Sequence, residues 1–345
     1  MYKTFFGLQK SPFNLTPDPA FLFLPPKHRE ALAGLTYAVM ERKGFVVLTG
    51  DAGTGKTTLL NSMLNRLPPD RIESSVILNP TLTGSEFLEG ILLDFDIPDV
   101  PVSKAQRLWK LQDFLARTHQ QNRVAVLVID EAHKLSLDVL EEIRLLGNFE
   151  GGSQKYLQIV LLGQPELDEL LNRRDLRQLR QRIALRMCIE PLNATEVCQY
   201  IRFRWIKAGG RESPPFTAEA LEAIIAWSEG IPRLVNSICD TALLAASGDE
   251  SPVVGVNYVR DVAANLGPDW SSNAVRPPAV TPPVSAPPPP VVISSAERPL
   301  PVRRSAHFAG TAYLATEEAG LATLAAYSTN SSLLKRLADR FGIRH

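Results

Sequence analysis

The nine residues GDAGTGKTT, Gly50 to Thr58, have the types and spacing needed to hold a nucleotide phosphate. Gly50, Gly55, Lys56 and Thr57 satisfy the pattern GxxxxGK[ST], which follows an apolar strand-like run and precedes a helical one. The glycines let the backbone curl so that successive N–H groups point at the β-phosphate, and the helix that follows adds its positive end. The lysine can reach the β- and γ-phosphates, and the threonine hydroxyl can hold Mg²⁺. We therefore expect ATP contacts from Gly50, Asp51, Ala52, Gly53, Thr54, Gly55, Lys56, Thr57 and Thr58.

A second stretch, VAVLVIDEAH from Val124 to His133, is an apolar strand-like run that ends in two acids. Asp130 is expected to hold Mg²⁺ through its water shell, and Glu131 to polarise the water that attacks the phosphate. A carboxylate pair at this point indicates hydrolysis, because a small-molecule kinase would place a substrate hydroxyl there. The letters DEAH also occur in helicases, but those need a second motor domain for which the chain has no room. His133 by itself is expected to be structural.

A third polar residue, Gln164, ends the strand-like run YLQIVLLGQPEL, Tyr156 to Leu167. If this strand lies beside the one that precedes Gly50, the amide projects between the two motifs. There it could hydrogen-bond the γ-phosphate or the attacking water. The alternative is a polar residue that simply ends a strand.

Arginines are concentrated in NRRDLRQLRQRIALR, Asn172 to Arg186. An arginine just before the next strand could stabilise the charge of the transferring phosphoryl group, in its own chain or in a neighbour's site. Arg182 is the first choice for this role and Arg180 the second. A solvated basic face or a DNA contact is the alternative.

One more arginine, Arg233, follows Pro232 in EGIPRLVNS, Glu229 to Ser237, where proline favours the first turn of a helix. If it belongs to a separate small domain and touches the γ-phosphate, it would sense whether ATP or ADP is bound. The nucleotide state would then set the angle between two domains.

These motifs require a sheet that positions them and a helical unit after it. Five apolar β-branched runs alternate with helix-like segments and predict a mainly parallel five-stranded sheet covered by helices; the runs are 45–48, 75–78, 124–129, 157–162 and 183–189. After Pro191 only helical periodicity follows, with Asn193 and Thr217 as N-caps. We predict an α/β nucleotide-binding domain over 1–191, a helical lid domain over 192–266, a disordered Pro-rich linker over 267–304, and a tail over 305–345. The tail could form a short amphipathic helix or stay frayed.

Composition excludes several classes of protein. The chain of 345 residues is 45% hydrophobic, which suits a globular core, and Lys+Arg and Asp+Glu balance at 37 each. No overall charge therefore favours nucleic acid or a membrane surface. No run approaches the roughly 18 apolar residues of a membrane span. The three cysteines have no CxxC spacing and suggest reduced, buried thiols in a cytoplasmic protein.

Taken in order, GDAGTGKT, VLVIDEAH, VLLGQ, LRQRI and GIPR resemble the motifs of an AAA+ ATPase. The N-terminal FFGLQKSPFNLTPDPAFLFLPPKHREAL and the later GIPRLVNSICDTALLAA are similar to the ExeA/GspA family of secretion-system ATPases, and the resemblance covers about Met1 to Leu266. It implies that Gly50 to Thr58 is Walker A, that Asp130 and Glu131 are Walker B, and that Gln164 and Arg233 are sensors 1 and 2. Arg182 would be the arginine finger.

The resemblance implies an ATPase that assembles a ring or filament of its own copies and drives protein components of an export apparatus. Family members that assemble secretins typically carry a membrane anchor and a cell-wall-binding region after the ATPase, whereas here the Pro-rich linker and tail follow. We therefore expect a soluble, cytoplasmic branch, such as those linked to exosortase or pilus loci, held at the inner membrane only through a partner. The alternative function is a DNA-binding regulator of the transposition type. A nucleotide switch with negligible turnover is a third reading.

Overall fold

The structure, a computed structural model, describes residues 2–266 except 17, 79, 152–153 and 212. The predicted linker and tail lie outside the described residues. Within that part, the strands are β1 (Phe45–Gly50), β2 (Ile72–Ile77), β3 (Val124–Ile129), β4 (Glu150–Gly151), β5 (Gln154–Lys155), β6 (Leu157–Gly163) and β7 (Ile183–Ile189). The helices are α1 (Tyr2–Phe5), α2 (Pro26–Met40), α3 (Lys56–Arg66), α4 (Gly84–Asp94), α5 (Lys104–Gln120), α6 (Leu137–Leu146), α7 (Glu166–Leu171), α8 (Arg177–Arg180), α9 (Ala194–Lys207), α10 (Ala218–Ser228), α11 (Pro232–Gly248) and α12 (Val256–Leu266).

The main sheet has five strands in the order β2-β3-β6-β1-β7, and every neighbouring pair is parallel. The predicted α/β architecture is therefore confirmed, including the position of β6 beside β1. β2 begins at Ile72, before the predicted start at Ser75. The short strands β4 and β5 form a separate antiparallel pair.

Alternate residues of β1 bury opposite faces of the sheet, as a parallel sheet covered by helices requires. Phe45 and Val47 belong to one core, which contains side chains of α4, α5 and α6. Val46 and Leu48 belong to the other, which contains side chains of α2 and α3. Because both faces of the sheet are covered by buried side chains, the loops that follow β1 and β3 start from closely packed strands.

A third core belongs to helices α9 to α12. Asn193 and Thr217 cap α9 and α10 as predicted, since their side chains accept hydrogen bonds from the backbone N–H groups of Glu196 and Ala220. Side chains from the start of the chain complete this core, although they precede the sheet in sequence; they are Tyr2, Leu8, Phe13 and Phe21. We call residues 2–23 the N-terminal segment. The domain boundaries remain a prediction.

The cysteines are free, but the predicted burial holds only for Cys239: Cys198 is half-buried and Cys188 is exposed. Cys188 lies on the edge strand β7, where alternate side chains face away from α2. Burial raises the pKa of the Cys239 thiol well above its usual value. Among the described helices, none has both the length and the apolar character of a membrane span.

Candidate nucleotide site

The loop Gly50–Thr58 leaves β1 at its carboxyl end and enters α3. Gly55 precedes the helix with a φ of 101°, and Gly53 has a φ of 84°, both in the left-handed region that glycine reaches without strain. The loop therefore curls at the amino end of α3, where the helix presents its positive end. This geometry is suited to a phosphate.

The Lys56 ammonium is held inside this loop. Its Nζ donates to the carbonyl oxygens of Gly50 at 2.6 Å and Asp51 at 2.9 Å, and the residue is buried. Burial lowers the pKa of Lys56, while the carboxylates of Glu131, Asp130, Asp51 and Glu166 act in the opposite direction. A cation is thus fixed where an anion would enter the loop.

Asp130, the last residue before the turn after β3, faces the loop. Its Oδ2 accepts from the Thr57 hydroxyl at 2.8 Å, and its Oδ1 accepts from the Glu131 N–H at 2.9 Å. A carboxylate and a hydroxyl at this separation are hard oxygen donors of the kind that Mg²⁺ prefers. No group of three or more His, Cys, Asp and Glu residues in the described ranges could hold a metal ion alone. The residues present therefore fit a Mg²⁺ ion that takes its other ligands from phosphate and water.

Glu131 adopts a left-handed backbone, with a φ of 53°, at the start of a short 3-10 turn, Ala132–Lys134. Its Oε2 lies 3.5 Å from His133 Nε2 and 3.4 Å from Lys134 Nζ. A non-glycine residue in this region is uncommon and is held there by its surroundings. Both contacts come from the turn that follows Glu131.

Gln164 follows β6, and β6 lies between β3 and β1. The residue therefore ends its strand between the two motifs, as expected. Its backbone N–H donates to His133 Nδ1 at 3.3 Å, and its side-chain amide lies 3.4 Å from His133 Nε2. The structure thus brings Gln164 and Glu131 to the same imidazole.

Arg233 joins the loop from the helical unit. It lies in the first turn of α11, behind Pro232, and its N–H donates to the carbonyl of Gly53 at 3.3 Å. A Cβ at Gly53 would approach the Cβ of Arg233 to 2.8 Å, so only glycine allows this contact. Arg233 and the loop residues line one cavity.

The cavity has a second wall that the sequence analysis did not assign to the site. It is built from the N-terminal segment and from α9 and α11; its residues are Asn14, Leu15, Thr16, Asp18, Phe21, Leu22, Phe23, Tyr200, Arg204 and Asn236. Arg204 is buried, and it donates from Nη1 to the Tyr200 hydroxyl at 2.8 Å and from Nε to the Pro12 carbonyl at 2.5 Å. The only sequence signal was the aromatic, proline-rich stretch near the start of the chain, which has no phosphate pattern.

The two candidate finger arginines lie away from this cavity. Arg182 immediately precedes β7, so it is at the amino end of a seven-residue strand, whereas the phosphate loop follows the carboxyl end of β1 beside it. Seven residues of strand span roughly 23 Å. Arg182 Nη1 donates to the Arg144 carbonyl at 2.9 Å, and Arg180 Nη1 lies 3.4 Å from the Asn172 carbonyl. Neither arginine can reach the phosphate loop of its own chain from these positions.

Comparison with known proteins agrees with this geometry. The model of the AAA domain family matches residues 39–171. Over 247 residues the chain is 43% identical to general secretion pathway protein A of Aeromonas hydrophila. The chain thus contains an AAA domain and resembles general secretion pathway protein A over most of its length. The match covers 71% of this chain and 45% of the Aeromonas protein, so the chain spans less than half of that relative's length.

Solved structures show the same AAA fold at low sequence identity. Cdc6p of Pyrobaculum aerophilum aligns with a TM-score of 0.56 at 18% identity, over 71% of this chain and 70% of that one. ORC2 of Aeropyrum pernix, in its ADPNP–ADP complexes, gives 0.54 at 15% identity and covers 71% of each chain. Drosophila ORC bound to DNA gives 0.55 at 20% identity, over 74% of this chain and 66% of that one. At these identities the likeness concerns the fold alone.

Proposed function

We propose that the chain binds ATP with Mg²⁺, hydrolyses it, and uses the cycle to drive an export or secretion apparatus. The observation that carries the proposal is the convergence of four separate segments on one end of the sheet: the loop with Lys56, the turn with Glu131, the end of β6 with Gln164, and the start of α11 with Arg233. Only the first two segments carry a sequence motif that by itself indicates a nucleotide site. Their meeting with the other two supports a reaction centre.

In the proposed complex, the phosphates lie on the loop 50–58 and the base enters the part of the cavity lined by the N-terminal segment. Lys56 exchanges its contacts with Gly50 and Asp51 for the β- and γ-phosphate oxygens. Mg²⁺, when bound, neutralises charge on the β- and γ-phosphates. Thr57 and Asp130 would hold it.

Hydrolysis then requires a water placed in line with the γ-phosphorus. The water oxygen forms a bond to phosphorus, the bond to the bridging oxygen breaks, and its electron pair stays on ADP. Glu131 takes the proton of the water, and the Gln164 amide orients the water or the γ-phosphate. Arg233 supplies positive charge from the lid, and Arg182 would supply it to a neighbouring subunit's site.

The helical lid would make the movement that couples ATP hydrolysis to a partner. Because the backbone of Arg233 contacts Gly53, a movement of the loop on loss of the γ-phosphate would directly displace the start of α11. The N-terminal segment would move with the lid, since its side chains share the lid core. We propose that the partner of this motion is a protein component of an export apparatus, in line with the name of the Aeromonas relative, and that the chain works in the cytoplasm as a homo-oligomer.

The test uses the full chain. Phosphate release from ATP should depend on Mg²⁺ and stop when EDTA removes it. We also expect the chain to cross-link to components of an export apparatus in the presence of ATP but not of ADP. If phosphate release is absent under all conditions, hydrolysis is wrong; if hydrolysis is present but no such component cross-links, the export role is wrong.

One observation favours the second candidate, DNA binding. Four arginines in α8 and just before it are exposed: Arg173, Arg174, Arg177 and Arg180. A DNA contact through this cluster would weaken steeply with salt, because bound phosphates release counterions. Salt-dependent binding of duplex DNA, lost when Arg174 and Arg177 are replaced by alanine, would support this candidate over the export role.

A further inference from the structure

His133 lies between the candidate base and the candidate sensor. Its Nε2 is 3.5 Å from Glu131 Oε2 and 3.4 Å from the Gln164 amide, while its Nδ1 accepts from the Gln164 backbone N–H at 3.3 Å. The side chain is 12% exposed, so water has little access to compete for these contacts. Sequence reasoning expected this histidine to be structural.

The contact with the backbone fixes which ring nitrogen carries the proton. A backbone N–H can only donate, so Nδ1 must accept and cannot carry hydrogen. The neutral imidazole then holds its proton on Nε2, where Glu131 Oε2 and the Gln164 amide lie. The Gln164 atom at 3.4 Å is its amide nitrogen, and two N–H donors cannot hydrogen-bond each other. Since the O and N ends of an amide are assigned from the hydrogen-bond network, we assign the Gln164 oxygen to the side of His133 Nε2. The NH₂ group is thereby left for another partner.

Glu131 needs contacts that hold it in position, because its backbone adopts a conformation that is unfavourable for a residue other than glycine. The left-handed φ of 53° must be held by neighbours. Lys134 Nζ also contacts Oε2, but its side chain is 53% exposed and flexible. The imidazole is rigid and anchored at Gln164, so it is the group able to fix the carboxylate.

We propose that His133 is a positioning residue that sets the Glu131 carboxylate and the Gln164 amide relative to one another. The inference depends on the proposed hydrolysis at this site. Since His133 does not line the cavity whereas Glu131 does, the histidine acts through its two neighbours and not on the nucleotide. Its loss should therefore lower kcat and leave ATP affinity unchanged.

Three substitutions separate the two contacts. In His133→Gln, the amide nitrogen can occupy the place of Nε2 and donate to Glu131. In His133→Asn, the amide oxygen can occupy the place of Nδ1 and accept from the Gln164 N–H. His133→Ala removes both. A misplacement of a reacting group by about 1 Å costs about 100-fold in rate, so we expect kcat to fall by about that factor in the alanine variant.

The measurements are kcat and KM for ATP, the affinity for a non-hydrolysable ATP analogue, and the thermal midpoint of unfolding. We expect unchanged analogue affinity in all three variants and recovery of part of kcat in His133→Gln but not in His133→Asn. The matched control is Lys134→Met, which removes the ammonium near Glu131 and whose kcat should stay within a few-fold of that of the parent chain. A double variant with Gln164→Ala should lose much less than the product of the two single losses, because one unit is disrupted twice.

Normal kcat in His133→Ala, in a chain that hydrolyses ATP, overturns the inference and leaves the proposed function standing. Equal loss in the glutamine and alanine variants with recovery in the asparagine variant assigns the effect to the backbone contact alone and also overturns it. Multiplicative losses in the double variant do the same. Absence of hydrolysis in the parent chain overturns the proposed function itself, and the inference with it.

Discussion

The backbone N–H of Arg233 donates to the carbonyl oxygen of Gly53 at 3.3 Å, so the first turn of α11 contacts the loop 50–58 directly. The two residues are far apart in sequence: Gly53 lies between β1 and α3, and Arg233 lies in α11, whose side chains contribute to the third core. A displacement of Gly53 would therefore reach α11 without any intermediate residue.

Replacing Arg233 by alanine removes the side chain but keeps this backbone contact. Charge-assisted hydrogen bonds contribute about 1.5–3 kcal/mol, so affinity for ATP should fall by roughly 10-fold to 100-fold. Affinity for ADP should barely change, because the arginine is expected at the γ-phosphate. Fluorescent ATP and ADP titrations measure both. An equal loss for ATP and ADP would show that Arg233 does not read the γ-phosphate.

Lys56→Ala should abolish ATP binding. The buried ammonium is the side-chain cation within the loop, and without it the β- and γ-phosphates lose their direct counter-charge. Calorimetric titration with ATP measures the loss. Lys43→Ala is the matched control, since Lys43 is exposed near the amino end of β1, away from the loop. Unchanged affinity in Lys56→Ala would exclude the assigned site.

Glu131→Gln should keep ATP binding and stop turnover, because an amide cannot accept the proton of the attacking water. General-base catalysis contributes roughly 10²-fold to 10⁴-fold, and phosphate release should fall by that factor. Glu169→Gln, at an exposed position on α7, serves as the control for loss of one negative charge. If Glu131→Gln hydrolyses ATP at the normal rate, another group is the base.

Arg182 should act on a neighbouring subunit, because it lies at the opposite end of β7 from its own phosphate loop. Specific activity should then rise with protein concentration. Arg182→Ala should still bind ATP and lose hydrolysis by on the order of 10³-fold. Mixing Arg182→Ala with Glu131→Gln should recover activity, since one mixed interface pairs an intact base with an intact finger.

The same experiments on Arg180→Ala decide between the two arginines. Loss of hydrolysis in Arg180→Ala, with normal hydrolysis in Arg182→Ala, would identify Arg180 as the arginine finger. Catalysis across the subunit interface would still hold. Normal hydrolysis in both variants, with activity per subunit independent of concentration, removes the action in trans.

His28 should make the fold sensitive to acid. Its Nε2 lies 3.0 Å from the Thr54 carbonyl. Burial lowers the pKa of the imidazole and outweighs this hydrogen bond and the charge of Glu196, which both act in the opposite direction. The unfolded chain therefore binds this proton more readily than the folded one. The stability is present above the ordinary histidine pKa of about 6.5 and is lost as the pH falls below it.

Denaturant unfolding of the parent chain and of His28→Gln at pH 7.5 and 5.5 measures this effect. The glutamine amide can donate to the same carbonyl but takes up no proton, so the variant should lose less stability between the two values. Equal losses would mean that His28 is as easily protonated in the fold as outside it.

The sequence by itself determined the features that depend on residues adjacent in the chain. The spacing of Gly50, Gly55 and Lys56 specifies a backbone turn, and such a turn is a local property of the chain. The same holds for the acids after β3 and for the N-caps Asn193 and Thr217, whose partners are three residues away. Apolar β-branched runs likewise indicated the parallel sheet, because both faces of such strands are buried.

Only the tertiary structure decided which distant residues meet. His133 contacts Gln164 because β6 lies next to β3, and no local pattern encodes that neighbour. Arg204 and Tyr200 line the cavity because the N-terminal segment packs into the core of the last helices. These contacts arise from burying apolar side chains that are far apart in sequence, a driving force that has no direction and leaves no short motif.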